Sequence, residues 1–503
     1  MNSTFSPLDW SVFVGYFLLL IGSSVLLSRA KVRSSRDYFV AGNAMPTLAV
    51  AISVLATAQS AATFLGGPEF AYRNDMTLLG FFVSGMLGAL FVAKVLIPRF
   101  YAIKAVTVYE LLQTRYGERA KREAGAMFLV GRLFASGARL YIGALAISMI
   151  LFSDIAASHV AVAIAVLMAG ALAYTYVGGV RSIIFSDVIQ AVTYIGAAVA
   201  VLIYLYGSFH ADFGTLVATL QSGEKLRLLD FSFSGEFSVW SLLGGWLLLN
   251  IAVYGMDQDM SQRVLSCKDH HEGSRSLIRA IWLSLPVTLL FLAIGALLYL
   301  YYHHPELSSF ADGGVEQRFA GEKITIFMTY ILNEMPEGMR GLVTVGAIAA
   351  ALSSTTSVLG AMASVAVEDF YRPWRSARSD TDEAHYVKAA RAAVILFALL
   401  LSVMAMVSYY WQRTTDLPLL SFALGVMAFA YSGLLGVYFS AIFTKRGSRR
   451  TVPLALLGGF MTVLLLQPYI LNQLVDWQIG FSWQLVIGTV VSFFIMQTGR
   501  SEA

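Results

Sequence analysis

Long apolar runs, each interrupted by a short polar or charged cluster, repeat along the whole chain. A bilayer core about 30 Å thick takes roughly 20 apolar residues to cross as a helix. Lipid cannot hydrogen-bond to open backbone, so runs of that length read as transmembrane helices. Thirteen runs qualify: 9–28, 46–72, 77–98, 124–152, 156–178, 184–207, 238–258, 277–302, 341–370, 389–411, 417–443, 452–470 and 481–497. They are called spans 1 to 13 below. The pattern predicts an all-α integral membrane protein, with residues 1–503 forming a single transmembrane domain. The longest stretches between spans, 208–237 and 303–340, are too short for a core of their own. A short surface helix is predicted over 322–333 in the second.

Two spans carry helix-breaking residues. Span 2 has Gly66-Gly67-Pro68 in its outer part, and span 7 has Gly244-Gly245 and Gly255 around Asn250. An interrupted helix frees carbonyls and amides, which membranes tolerate only around a cavity. The interrupted spans are five apart, an odd interval. Spans 2–6 (46–207) and 7–11 (238–443) would then run in opposite senses, as an inverted repeat, leaving spans 1, 12 and 13 peripheral.

Composition agrees: 57% of the residues are apolar and 13% charged, about half the charged share of a soluble domain. With span 1 running inward, 25 of the 35 Lys and Arg fall in inner segments and 7 in outer ones. The positive-inside rule then puts the N-terminus outside and the C-terminus in the cytoplasm. Span 1 does not read as a signal peptide, because residues 1–8 carry no cation and the basic cluster follows the apolar run. The net charge of +4 indicates no nucleic-acid partner, and the single Cys267 excludes an intrachain disulfide. No nucleophile elbow, zincin or nucleotide-loop motif occurs, so neither an enzyme nor an ATP-driven pump is expected. No organic cofactor and no obligate protein partner are indicated.

The polar residues inside the spans carry the candidate chemistry. In span 2, Ala56, Gln59, Ser60 and Thr63 share one helical face. In span 9, Ser353-Ser354-Thr355-Thr356-Ser357 are five consecutive hydroxyls, and Ala350, Ser353, Ser354 and Ser357 share a face. Small and hydroxylated residues also serve helix packing. The functional reading is a neutral oxygen cage for a hard cation such as sodium. Asp187 in span 6 is either a cation or proton site or a structural ion pair. Arg132 in span 4 either reads a carboxylate or snorkels to the inner surface, and Arg139 has the same two readings. Glu69, Asp257 and Asp259 lie near predicted helix ends, where solvation is the default.

At these residues the chain resembles the sodium/solute symporter family of sugar, proline, sialic acid, monocarboxylate, iodide and vitamin carriers. The segments that match are Asp37-Tyr38-Phe39-Val40-Ala41-Gly42, the span 2 run ending Gly66-Gly67-Pro68-Glu69-Phe70-Ala71-Tyr72, and Gly178-Gly179 with Asp187 and Gln190. Asn250 with Gly255, Gln258 and Gln262-Arg263, and Ala350 with Ser353-Ser354, complete them. The resemblance implies a LeuT-type five-plus-five fold, alternating access, and a plasma membrane of the bacterial inner-membrane type. It implies a main sodium site from Ala56, Gln59, Ala350, Ser353 and Ser354, and a further sodium site from Asp187, Ser353, Thr356 and Ser357. The span 2 pattern is closest to the sialic acid and organic-anion branches. There the solute's carboxylate would meet Ser60, Thr63 and Arg132, with Asn250, Phe81 and Phe82 as further lining. The expected function is sodium-coupled import of a small, carboxylate-bearing solute across the bilayer. A symporter of an amino acid or neutral sugar, and a channel or solute-sensing module, are the alternatives.

Overall fold

The computed structural model describes residues 5–27, 32–233, 235–308, 318–319, 322–323, 325–377, 382–414, 419–471 and 479–500. Among the described residues, six helices are long and apolar enough to cross a membrane: Thr77–Ala102, Glu118–Phe152, Gly178–Gly207, His270–His303, Met339–Ser376 and Glu383–Arg413. Two bent pairs make up to eight: Ser35–Asn43 with Thr47–Ala58, at 112°, and Val239–Gly255 with Gln258–Val264, at 56°. Shorter apolar helices occupy Pro7–Ser23, Ala157–Ala173, Ala428–Phe443, Thr451–Leu465 and Phe481–Gln497. The only strands among the described residues are the pairs Arg318–Phe319 and Glu322–Lys323.

Burial sorts these helices by role. The apolar windows of Met339–Ser376 and Glu118–Phe152 are 94% and 83% buried, so spans 9 and 4 form the centre. Glu383–Arg413 is two-faced: Ala398, Leu401, Ala405 and Ser408 are buried, while Leu396, Leu399, Val403 and Val407 are exposed. An exposed apolar face of that length has lipid as its solvent. Spans 11, 12 and 13 meet through small residues. A Cβ on Gly459 would lie 2.6 Å from the Gly433 nitrogen, and one on Gly488 would lie 2.8 Å from the Ser432 Cβ. Such positions let membrane helices approach closely.

Three local features depart from the sequence expectation. No loop separates spans 5 and 6: Ala157–Gly207 runs on as helix and reverses at Gly179, whose φ is 57° and ψ −152°. A Cβ there would also stand 2.3 Å from the Tyr38 carbonyl oxygen. Both the left-handed φ and that approach require glycine. The break in span 2 falls at Gln59-Ser60, between Thr47–Ala58 and Ala61–Arg73, and Gly66-Gly67-Pro68 stays helical. In span 7 the chain continues through Gly244-Gly245 as a π turn, Leu242–Trp246, and breaks after Gly255.

The outer helix begins at Ile326 and is buried rather than lying on the surface. Its first amide donates to the Glu69 carboxylate at 2.5 Å, and Phe327 stacks 5.7 Å from Phe64. It therefore caps the outer half of span 2. On the inner side, the Met45 amide donates to the Ser266 carbonyl at 3.0 Å, joining the segments that precede span 2 and follow span 7.

Replacing Gly179 with Ala is expected to lower the melting temperature of the detergent-solubilised protein by several degrees, a loss of about 1–2 kcal/mol or more. Gly196→Ala, where an added Cβ meets nothing within 4 Å, is the control. It should be neutral or slightly stabilising, about 0–1 kcal/mol. Equal melting temperatures for the two variants contradict the assigned role of Gly179.

Candidate functional site

The break in span 2 rewires two amides. In an unbroken helix the Ser60 N–H would bond to the Ala56 carbonyl, and the Thr63 N–H to the Gln59 carbonyl. Here the Ser60 N–H donates to Thr63 Oγ1 at 3.1 Å, and the Thr63 N–H to the Ser60 carbonyl at 3.0 Å. Gln59 itself is extended, with φ −80° and ψ 141°. A Ser and a Thr three residues apart form this cap. The cap releases the Ala56 and Gln59 carbonyls, the two oxygens that the sequence reading assigned to sodium.

Span 9 lies against this break. Thr57 Oγ1 is 3.1 Å from Ser357 Oγ. A Cβ on Gly143 of span 4 would stand 3.4 Å from the Ala61 Cβ and 3.1 Å from the Ala351 Cβ. All five span 9 hydroxyls are buried. Those of Ser354, Thr355 and Thr356 donate to carbonyls one turn back, at 3.0, 2.8 and 3.0 Å. The Ser353 hydroxyl instead crosses to Asp187 Oδ1, at 2.7 Å. The helix that carries the released carbonyls and the helix that carries the five hydroxyls thus pack against one another. No group of three or more His, Cys, Asp or Glu suited to a metal occurs among the described residues, so a cation here would depend on neutral oxygens.

The residues expected to form a second sodium site do gather, but around a guanidinium. Arg263 Nη2 lies 3.1 Å from Asp187 Oδ2, and Arg263 Nε donates to Ser53 Oγ at 2.7 Å. Arg263 Nη2 also donates to Ser357 Oγ, and Ser53 Oγ to Asp187. The Thr356 hydroxyl stays on its own helix. Asp187 is fully buried and Arg263 is 2% exposed. The protein's own cation therefore neutralises Asp187.

The chain of charges continues. Arg263 Nη1 reaches Asp259 Oδ1 at 3.0 Å, and Asp259 Oδ2 accepts from Arg132 Nη2 at 2.6 Å. Arg132 Nη2 also lies 3.0 Å from Asp257 Oδ2, which accepts from the Tyr431 hydroxyl. Asp257 and Asp259 are buried, not solvated as their place near a helix end suggested. The helix that ends there ends inside the protein, at the span 7 break. Arg132 does not snorkel: it is buried, and two carboxylates hold its Nη2.

Arg139 is placed differently. Arg132, Ser136, Arg139 and Gly143 recur at helical spacing on one face of span 4, and Gly143 meets the span 2 break. Arg139, Ser136, Ser354 and Thr355 line one small internal cavity. Ser136 is 7% exposed, and its hydroxyl has no partner among the described residues. The remaining expected lining residues take partners on spans 3, 7 and 8. Asn250 donates to Ser84 Oγ at 3.2 Å, Phe81 meets Trp246 edge-to-face at 5.1 Å between ring centres, and Phe82 lies tilted 5.3 Å from Trp282. Trp282 is 59% exposed, so Phe82 belongs to the rim.

Comparison with known proteins adds a separate line. A model of the sodium:solute symporter family matches residues 38–459. The sodium/sialic acid symporter SiaT of Proteus mirabilis is 26% identical over 92% of this chain and 89% of its own length. The human sodium-coupled monocarboxylate transporter 2 is 27% identical over 73% of this chain and 58% of its own. A solved Na+-coupled sialic acid symporter, in a substrate-bound outward-open state, superposes with a TM-score of 0.81 at 24% identity, covering 98% of this chain and 97% of that one. The broken helices, the oxygen-lined centre and the match over 38–459 agree: the chain belongs to the sodium:solute symporter family.

Proposed function

We propose that this protein is a sodium-coupled symporter that imports a small carboxylate-bearing solute by alternating access. The observation that carries the sodium reading is the rewired break, which frees the Ala56 and Gln59 carbonyls on a helix packed against the hydroxyls of span 9. Sodium, a hard cation, favours such oxygens, and neutral ligands hold it weakly enough to exchange. Ala350 supplies the remaining carbonyl. The reading keeps thirteen crossings, with the repeats 46–207 and 238–443 moving against each other and spans 1, 12 and 13 peripheral. The N-terminus then lies outside and the C-terminus in the cytoplasm of a bacterial-type inner membrane.

Coupling follows from Ser353. A hydroxyl ligating sodium through its oxygen becomes a stronger donor through its hydrogen. That hydrogen bonds to Asp187, and Asp187 holds Arg263, Asp259 and Arg132 in series. Sodium binding therefore tightens the network that ties span 6 to the inner pieces of spans 4 and 7. Arg139, Ser136, Ser60 and Thr63 supply donors for the carboxylate, and the sialic acid and monocarboxylate relatives support that solute class. Arg263 meets the charge of Asp187, so one sodium per cycle is the reading.

Uptake of N-acetylneuraminate or lactate into proteoliposomes should require an inward sodium gradient. The double change Ser353→Ala and Ser354→Ala should raise the half-saturating sodium at least about ten-fold, equivalent to losing roughly 1.4 kcal/mol of binding. Equal uptake when potassium replaces sodium would sink the assignment. The sodium Hill coefficient should be near one and stay there in Asp187→Asn; a coefficient near two that falls to one in that variant would restore the second site. Asp259→Asn, which removes the acceptor shared by two buried guanidiniums, should cost about 3 kcal/mol in thermal or denaturant unfolding. Arg119→Gln, at an exposed ion pair, should cost less than about 1 kcal/mol.

A further inference from the structure

Gln59 does more than lend a backbone carbonyl. Its side chain is 7% exposed, and its amide oxygen has no hydrogen-bond partner among the described residues. Its polar neighbours are all engaged: Ser53 with Asp187, Thr57 with the Ser53 carbonyl at 2.8 Å, and Ser60 with Thr63. A primary amide oxygen buried inside a membrane protein without a donor is costly unless something else completes it. Packing gives no reason for an amide here, since an apolar side chain of the same length would fill the volume without that cost. Its location does give one. Gln59 is the extended residue of the break, next to Ser60 and two residues from Ala61, which faces the Arg139 side of span 4.

We propose that the Gln59 side-chain amide reads the solute. Its oxygen accepts a hydrogen bond from a hydroxyl or amine that the transported acid carries beside its carboxylate. The inference rests on the carboxylate reading above and extends it: the preferred substrates are acids with a neighbouring donor, and acids lacking that donor are discriminated against. A site that leaves a buried acceptor unpaired rejects the analogue without the donor.

The test uses the purified full chain with sodium and pairs of probes that differ by one donor. Lactate against propionate is the first pair. Galactose against 2-deoxygalactose is run as a neutral pair if neither acid binds. Binding is read by calorimetry, and sodium affinity is read without solute by thermal stabilisation. The unmodified protein should bind lactate roughly ten-fold more tightly than propionate. Gln59→Met, which keeps the length and the backbone carbonyl and removes only the side-chain amide, should bring that ratio to about one. Arg139→Gln should instead weaken both acids together and keep the ratio. If galactose binds and the acids do not, the carboxylate reading falls, and the Gln59 assignment stands or falls on the neutral pair's ratio. The assignment is overturned if Gln59→Met leaves the ratio of the binding pair unchanged, which assigns the amide to a trapped water. It is equally overturned if the variant lowers sodium affinity in the solute-free protein, which makes the side chain an ion ligand, or if no donor-bearing probe binds.

Discussion

The arrangement depends on a line of buried charges: Asp187, Arg263, Asp259, Arg132 and Asp257, closed by the Tyr431 hydroxyl. Removing a carboxylate or guanidinium from water costs several kcal/mol per ion even after relaxation. None of these groups is tolerable here without its neighbours. The line runs from span 6 through the inner piece of span 7 to spans 4 and 11, so satisfying it fixes where those four segments lie. It also leaves one carboxylate oxygen of Asp187 facing the Ser353 hydroxyl. The charged network thereby touches the hydroxyl face of span 9 at Ser353, as Arg263 does at Ser357.

That division of labour explains how a weak ion site can move a large structure. In the proposed function the cage has no formal charge, so sodium would enter and leave it readily. The network has several charges in contact, so it has discrete paired states rather than a continuum. A hydroxyl shared between the two would convert ion occupancy into a bias on the pairing. The broken helices make this feasible. Span 2 opens its backbone where the ion is read, and span 7 opens where Asp257 and Asp259 must turn inward. The Ser60–Thr63 cap satisfies two of the amides that the first break strands.

Several sequence expectations shifted for a common reason. Gly66-Gly67-Pro68 looked like the break, yet neighbouring helices hold that segment straight, as they can in a membrane. The true break is signalled by a serine and a threonine three residues apart, a pattern that also occurs in ordinary helix packing. Arg263 read as one more cation of an inner segment, and Asp257 and Asp259 as solvated helix ends. Their spacing around Gln258 and Gln262 was visible, but their burial was not. Burial at that point depends on which helices close over it.

The amino-acid sequence by itself determined the lipid-solvated class, the placement of the apolar runs, the inner and outer charge bias and the five-hydroxyl face of span 9. These follow from local composition and period, which need no knowledge of neighbours. Tertiary structure alone decided which carbonyls are released, that Asp187 is answered by Arg263, and that Arg132 belongs to the charge network while Arg139 lines a cavity. Those outcomes depend on distances between residues more than a hundred positions apart. Identical side chains become ion pair or cavity lining according to what packs against them.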